Sequence, residues 1–258
     1  MSSLAARTQT TLDYQSISHP EIGEEFMVST QNRYATEIGY EILKKGGNAV
    51  DAAVAVGFAL AVTLPRAGNL GGGGFILIYE KETQKVSSID YRSAAPVAAK
   101  SEMFISDNKV QRFGHLVNAV PGSVAGLLKA HKDHGSLPLP ELLKPSIELA
   151  REGFEVSYDL NYVLEWGKES MLMNETSKKK FYDQSLEPLK VKSIFKQPLL
   201  SKTIEKIAMN GKEAFYEGEI AEWIVDESLS NGGLITIQDM SSYEAKYRKP
   251  LETLYRGY

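Results

Sequence analysis

Apolar residues cluster in a few segments of the chain, and the first segments predict a helical start. Residues 25–29, EFMVS, form a short strand candidate after a polar, loosely ordered lead at residues 1–25. A first helix is predicted over residues 34–45, where Gly46-Gly47 supplies its stop.

A second helix is predicted over residues 49–64, and the segment AVDAAVAVGFALAV is apolar on nearly every side. Asn48 is placed to cap it, and Asp51 lies near its first turn, where a carboxylate favours exposed N–H groups. Pro65 ends the helix. A helix without a polar face belongs inside a large core, so we expect it to be almost wholly buried.

Four consecutive glycines, Gly71–Gly74, run into a pair of predicted strands. The strands cover residues 74–80 and 85–91, and the polar segment KETQ between them indicates a hairpin. The early order is therefore strand, helix, helix, hairpin.

The later part of the chain is mainly helical by pattern. Ser123 is expected to cap a helix to about His134, and Pro140 to open another that ends near Gly153. Further helices are predicted at about 157–169, 200–210 and 217–230, the last ended by NGG at 231–233. The segment SKKKFYDQ is expected to be solvated and mobile. The C-terminal segment YEAKYRKPLETLYRGY alternates like two strands with a break at Lys249-Pro250, the second stopping in mid-strand at Tyr258.

Composition narrows the classes of function. The chain has 258 residues, is 43% hydrophobic and carries a net charge of −4, so it has no global basic field for nucleic acid. It has no cysteine, which excludes thiolate catalysis and cysteine-ligated zinc. No signal peptide or membrane span is visible, so we expect a cytoplasmic protein unless a leader was removed. With no linker and no repeat, residues 1–258 are expected to be a single-domain portion.

The glycine run invites a comparison with phosphate-binding loops. Such loops need a strand before and a helix after the glycines, or a Lys-Ser/Thr pair opening the helix. Here a helix precedes and a strand follows, with no lysine before Lys81. We therefore favour a tight turn in which backbone passes close to backbone.

Other candidate sites are weak. His131 and His134 lie one helical turn apart without a suitably spaced acid, so we expect solvated histidines and no metal site. Ser123 in PGSVAG matches a nucleophile elbow only loosely. Lys178–Lys180 is expected to be wet surface, and the pair Thr10-Thr11 has no evident role.

Arg92 ends the second strand of the hairpin, in SSIDYRSAAP. A guanidinium at a strand end can grip a carboxylate through two parallel hydrogen bonds. From the residues alone, an ion pair with a neighbouring acid such as Asp90 is the favoured alternative.

Several motifs together resemble the large-subunit part of the gamma-glutamyltransferase (gamma-glutamyltranspeptidase, glutathione hydrolase) family. They are ATEIGYEILKKGGNAVDAAVAVGFALAVTLPRAGNLGGGGF, IDYRSAAP, VPGSVAG, LPLPELLKPSIELAREGFEV, KEAFYEGEIAEWIVDESLSNGGLIT and YRKPLETLYRGY. The resemblance covers about residues 28–258 and diverges freely at about 165–195.

The resemblance implies an α+β fold, the αββα sandwich of N-terminal-nucleophile hydrolases, of which this chain would be the N-terminal part. It implies a precursor that cleaves itself, after which the N-terminal threonine of a small subunit attacks a gamma-glutamyl amide with its own amine as base. Water or an amino acid then accepts the gamma-glutamyl group, and no cofactor is needed. The implied partners are the small-subunit polypeptide and a gamma-glutamyl substrate such as glutathione.

Two assignments follow from the resemblance. Arg92 matches the family arginine that binds the alpha-carboxylate of the substrate, and the glycine run matches the turn between buried helix and sheet. Ser93 stands where the family commonly has an acid, and Ala119 where it has a glycine. The family nucleophile would lie beyond residue 258, so no catalytic residue is expected in this chain, which alone should be inactive.

Three alternatives stay open at this point. The chain could belong to a poly-gamma-glutamate depolymerase or a cephalosporin-type acylase of the same superfamily, or be a truncated, non-catalytic relative. A binding arginine for a free alpha-carboxylate favours the gamma-glutamyltransferase.

Overall fold

The computed structural model describes residues 22–104 and 113–256, in which helices predominate over short antiparallel strands. The helices are α1 (Arg33–Lys44), α2 (Ala49–Thr63), α3 (Ser123–His134), α4 (Leu139–Glu152), α5 (Tyr158–Trp166), α6 (Lys168–Met171), α7 (Glu175–Phe181), α8 (Pro198–Tyr216), α9 (Glu219–Ser230) and α10 (Ile237–Ser241). The strands are β1 (Phe75–Glu80), β2 (Lys85–Asp90), β3 (Phe154–Glu155), β4 (Ile194–Phe195) and β5 (Lys246–Arg248). Most of the predicted early elements are confirmed to within a residue or two.

Helix α2 is the centre of the core. It packs against α1, α3 and α4, and Val54, Ala55 and Phe58 have no exposed surface. The predicted cap is confirmed as a full capping box, in which the Asn48 side chain accepts from the Asp51 N–H and the Asp51 carboxylate accepts from the Asn48 N–H. The prediction of a buried helix is therefore confirmed for most of its length, with Ala53 exposed and Val56, Gly57 and Leu60 half-buried. Within the described residues no helix is both long and apolar enough to cross a membrane.

Strands β1, β2 and β5 form an antiparallel sheet with β2 in the middle. The register pairs Ile76 with Ile89 and Ile89 with Tyr247, and Ile89 is fully buried against the helices. On the opposite face of β1, Phe75, Leu77 and Tyr79 are largely exposed. Strand β1 is thus apolar on both faces, which is typical of a strand covered on both sides.

Two strand predictions are wrong within the described residues. Residues 25–29 are in no strand, although exposure alternates along 26–30 as in an extended chain. At the C-terminus β5 confirms one predicted strand, but residues 249–256 form none. The physical reason is the same in both places: a strand needs a neighbour for its N–H and C=O groups, and the described residues provide none there. The lead at residues 1–21 and Tyr258 lie outside the described residues.

The segment SKKKFYDQ, predicted to be solvated, exposes Lys179 and Lys180 but also contains helix and two buried side chains that the prediction missed. It lies mostly in α7, which is capped by Asn174, and the side chains of Phe181 and Tyr182 are buried. The Tyr182 hydroxyl donates to the Leu164 carbonyl at 2.6 Å. The run of three lysines indicated a solvated segment, but the two buried aromatic residues that follow it anchor a helix there.

Helix α8 extends beyond its predicted end at residue 210. Gly211, with φ 67° and ψ −147°, interrupts the helical geometry at that point, and helix resumes to Tyr216. The sequence located the break but not the second segment, whose Phe215 and Tyr216 are buried in the core.

Candidate functional site

The glycine run joins the sheet to the start of α3 through its backbone. The Gly72 carbonyl accepts hydrogen bonds from the N–H groups of Gly122, at 2.7 Å, and Ser123, at 3.0 Å. These are N–H groups of the kind that would otherwise bind an anion at a helix N-terminus. These two N–H groups are therefore already bonded within the chain.

Gly73 and Gly74 are required by close approach to the residues before and after Arg92. A Cβ on Gly73 would lie 2.5 Å from the Ser93 nitrogen and 2.6 Å from the Tyr91 carbonyl oxygen. Gly74 and Tyr91 exchange backbone hydrogen bonds of 3.0 and 3.3 Å, which extend the hairpin by one pair. The structural explanation of the glycines is thus confirmed.

Ser123 is the first residue of α3, and the prediction that it caps the helix is wrong. Gly122 is the cap, and no side-chain hydrogen bond closes this end of the helix. The Gly72 carbonyl meets this need instead, and a glycine at position 122 is required because a Cβ there would collide with the Tyr91 carbonyl and the Tyr243 hydroxyl.

The two histidines, predicted to be solvated, are half-buried, and each is hydrogen-bonded. The His131 Nε2 atom lies 2.7 Å from the Leu137 carbonyl. The His134 ring lies between the Glu80 carboxylate, 2.9 Å from Nδ1, and the Tyr247 hydroxyl, 2.9 Å from Nε2. Across residues 22–104 and 113–256, no three histidine or acidic side chains are grouped to bind a metal ion. Thr10-Thr11 falls outside those ranges.

Arg92 lies two residues after the end of β2, and the residue is exposed. Its backbone is fixed at both ends: its N–H donates to the Asp90 Oδ1 atom at 3.0 Å, and its carbonyl accepts from the Tyr243 hydroxyl at 2.9 Å. Burial, with a smaller contribution from the Asp90 charge, raises the pKa of Tyr243 to about 12, so its hydroxyl remains a donor at neutral pH.

The ion pair between Arg92 and Asp90 that the sequence favoured is not formed. The second oxygen of Asp90 accepts instead from the Nε of Arg248, at 3.1 Å. The N–H of Arg92 and the guanidinium of Arg248 together hold the pKa of Asp90 below its usual value, so this acid is a carboxylate at neutral pH. Within the described part of the chain, the Arg92 guanidinium makes no ion pair.

Tyr243 is itself supported by the core. Its ring stacks on that of Tyr216, with 5.7 Å between centroids and 9° between planes. The Tyr216 hydroxyl donates to the Pro121 carbonyl at 2.8 Å and accepts from the Ala125 N–H at 3.2 Å. The start of α3, the end of α8 and the loop of Arg92 are thereby tied together.

Sequence reasoning missed Tyr243 and Arg248 as neighbours of Arg92. They lie about 150 residues away along the chain. The alternating pattern near the C-terminus did predict a strand there, but a strand pattern does not identify the strand it will pair with.

The fold closely matches solved structures of gamma-glutamyl-transferring and transpeptidase enzymes. The gamma-glutamyltranspeptidase of Helicobacter pylori is 38% identical with a TM-score of 0.88, covering 94% of this chain and 70% of that one. The transpeptidase CapD of Bacillus anthracis is 33% identical with a TM-score of 0.76, covering 92% of this chain and 74% of that one.

The family model described as Gamma-glutamyltranspeptidase matches residues 35–258. The glutathione hydrolase proenzyme of Escherichia coli K12 is 44% identical over 250 residues, which is 95% of this chain and 43% of that protein. The chain belongs to the gamma-glutamyltranspeptidase family, and the resemblance found in the sequence is confirmed. It spans less than half the length of the curated relatives that it matches.

Proposed function

We propose that this chain is the large-subunit part of a gamma-glutamyltransferase that cleaves the gamma-glutamyl amide of glutathione and related compounds. The observation that carries this proposal is Arg92: an exposed guanidinium without an ion pair among the described residues, fixed by its backbone at the end of a strand. Family membership supplies the substrate class.

Arg92 is proposed to bind the alpha-carboxylate of the gamma-glutamyl group. A guanidinium offers two parallel donors to a carboxylate, whereas an ammonium offers a single point charge. The chain as a whole carries a net charge of −4, so a fixed local cation is needed to attract a small anion. Because the backbone of Arg92 is held at both N–H and C=O, little ordering is needed when a ligand binds.

The sheet supports the proposal that residues 1–258 are a single-domain portion of an αββα sandwich. The outward side chains Phe75, Leu77 and Tyr79 are 63%, 69% and 62% exposed, beside Val86 in β2. An apolar sheet face of this kind is normally covered by a second sheet about 10 Å away. We assign that cover to the small-subunit polypeptide.

The chemistry is proposed from the family. The hydroxyl oxygen of the small subunit's N-terminal threonine attacks the gamma-carbonyl carbon, while the threonine's own amine takes the hydroxyl proton. The C–N bond then breaks, the leaving amine receives that proton, and a gamma-glutamyl ester remains on the threonine. Water or the amine of an acceptor amino acid attacks this ester and releases the threonine. In this proposal the present chain contributes binding and carries no nucleophile.

The alternatives receive less support. The named gamma-glutamyltranspeptidase and glutathione hydrolase relatives are 38% and 44% identical, against 33% for the transpeptidase CapD. A depolymerase would present the same group to Arg92, since poly-gamma-glutamate keeps a free alpha-carboxylate on each residue, whereas an acylase or a non-catalytic relative would not require one.

The test is an Arg92→Lys substitution in the complete, processed enzyme, assayed with a gamma-glutamyl anilide. Loss of a charge-assisted contact costs about 1.5–3 kcal/mol, so kcat/KM should fall by at least about tenfold. Much of the loss should appear in KM, because the carboxylate is bound in both ground and transition states. Arg151→Lys is the matched control, since Arg151 is exposed and, among the described residues, forms an ion pair only with its neighbour Glu152. Normal processing with an unchanged KM in Arg92→Lys would refute the assignment.

A further inference from the structure

Asp90 is the last residue of β2, and Arg92 lies two residues further along the chain. An acid and an arginine in this arrangement can pair with each other. Such a pair would neutralise the guanidinium that the proposed function assigns to the substrate. The structure avoids it, because one carboxylate oxygen of Asp90 accepts from the Arg92 N–H and the other from Arg248.

We propose that Arg248 is a positioning residue for substrate binding, which occupies Asp90 so that Arg92 remains available to a substrate carboxylate. This inference rests on the proposed function, in which Arg92 binds the alpha-carboxylate. Arg248 acts through Asp90 and makes no contact with the substrate in this proposal.

The sheet register makes the arrangement specific. Arg248 pairs with Ser88 in the ladder, and its Nε reaches diagonally to the Asp90 Oδ2 atom at 3.1 Å. Lys246 lies directly opposite Asp90 in register but forms no ion pair with it. Strand β5 therefore brings two cations to Asp90, of which the arginine makes the direct bond.

Removing Arg248 should free one oxygen of Asp90 for another cation, and in this proposal the Arg92 guanidinium, two residues along the chain, takes its place. An exposed ion pair contributes about 0.2–1 kcal/mol, which corresponds to roughly one-and-a-half- to fivefold competition with a ligand. The cost should fall on binding and not on the chemical step, because the competing pair is broken once the substrate is bound.

The experiment measures KM and kcat for a gamma-glutamyl anilide in the complete, processed enzyme. Arg248→Gln should raise KM about two- to fivefold with kcat changed less than twofold. Lys246→Gln is the matched control, since it removes a cation from the same strand and leaves the Asp90–Arg248 pair intact; its KM should stay at the wild-type value. The double substitution Asp90→Asn/Arg248→Gln should restore the wild-type KM. An asparagine has no charge to pair with the Arg92 guanidinium, but its side-chain oxygen can still accept the hydrogen bond from the Arg92 N–H.

Any of three results would overturn the inference. They are an unchanged KM in Arg248→Gln, an equal rise of KM in Lys246→Gln, and a KM that stays raised in the double variant Asp90→Asn/Arg248→Gln. Asp90→Asn alone is a second test that does not depend on the folding of Arg248→Gln: its KM should be no higher than wild type, and a fivefold rise would also overturn it. Failure of the proposed function looks different, since Arg92→Lys would then leave KM unchanged. A raised KM in Arg92→Lys with no effect of Arg248→Gln would refute only the role of Arg248.

Discussion

The hydroxyl of Tyr243 donates a 2.9 Å hydrogen bond to the carbonyl oxygen of Arg92, which lies 151 residues earlier in the chain. Tyr243 is buried and stacked on Tyr216, whose own hydroxyl is bonded to the start of α3. The position of an exposed arginine is thus set from the core. This arrangement makes Tyr243 the most direct test of how Arg92 is held.

Tyr243→Phe should weaken substrate binding without disrupting the fold. Phenylalanine keeps the stacked ring but leaves the Arg92 carbonyl without its partner, at a cost of about 0.5–1.5 kcal/mol. In the complete enzyme we expect KM for a gamma-glutamyl anilide to rise about two- to tenfold. Tyr158→Phe is the control, because Tyr158 is 73% exposed and its hydroxyl makes no hydrogen bond within the described residues. Equal KM values for the two variants would contradict the prediction.

Gly73→Ala should displace the loop that carries Arg92. The new Cβ would lie 2.5 Å from the Ser93 nitrogen, and backbone atoms cannot move away without shifting residues 91–93. Overpacking of this kind costs about 1–3 kcal/mol, to be read from urea denaturation, and KM should rise with it. At Gly71 a Cβ would come no closer than 3.6 Å to its neighbours, so Gly71→Ala should be nearly neutral. The prediction fails if the two alanine variants are equally stable.

Leu77→Glu should impair assembly with the small subunit. Its side chain is on the exposed apolar face of β1, which we propose a second sheet to cover, and a carboxylate buried there would lose its hydration. When the two polypeptides are produced together, the yield of the complex on size exclusion should fall severalfold. Val97→Glu, at a side chain that is 91% exposed and outside the sheet, should assemble normally. Full assembly of Leu77→Glu would show that this face is not the contact.

Asp51→Asn should destabilise the protein at neutral pH and much less in acid. Burial alone would raise the pKa of Asp51, but hydrogen bonds from Ser136, Asn48 and Leu137 outweigh it and hold the pKa below its usual value. Because the pKa of Asp51 is lower in the folded state than in the unfolded state, the carboxylate stabilises the fold at pH values above its unfolded pKa of about 3.9. This stabilisation is lost as the pH falls through the folded-state pKa. At pH 7 an amide cannot accept all these bonds, so unfolding free energy should drop by about 1–3 kcal/mol.

The measurement for Asp51 is a series of urea denaturation curves from pH 7 to pH 3. The difference between wild type and Asp51→Asn should shrink toward the acid end. Asp226→Asn, at an exposed position of α9, is the control and should differ little from wild type throughout. A pH-independent difference at Asp51 would show that packing, and not charge, accounts for the effect.

Ala52→Asp and Ala53→Asp form a matched pair on the central helix. Ala52 is buried and Ala53 is exposed, although they are adjacent. Burying an unpaired carboxylate should cost about 3–5 kcal/mol at Ala52, whereas Ala53→Asp should cost about 0.7 kcal/mol, the difference in helix propensity. Thermal or urea unfolding of the two variants compares them directly, and similar midpoints would contradict the buried position of α2.

Elements with local causes could be predicted from the amino-acid sequence alone. The capping of α2 by Asn48, its burial and the hairpin with its glycine run all follow from residues that are neighbours in the chain. The sequence also pointed to Arg92, through motifs that resemble a family. Local causes suffice here because a cap, a helix without a polar face and a turn each act over only a few residues.

The surroundings of Arg92 depend on contacts between distant parts of the chain. Tyr243 and Arg248 approach it from about 150 residues away, and this approach turns the expected Asp90–Arg92 ion pair into an Asp90–Arg248 pair. The failed strand at 25–29 and the helix at the lysine run have the same origin, since pairing partners and buried aromatic contacts are not local properties. An ion pair is selected by competition among all charges that the fold brings within reach, and the chain order does not contain those distances.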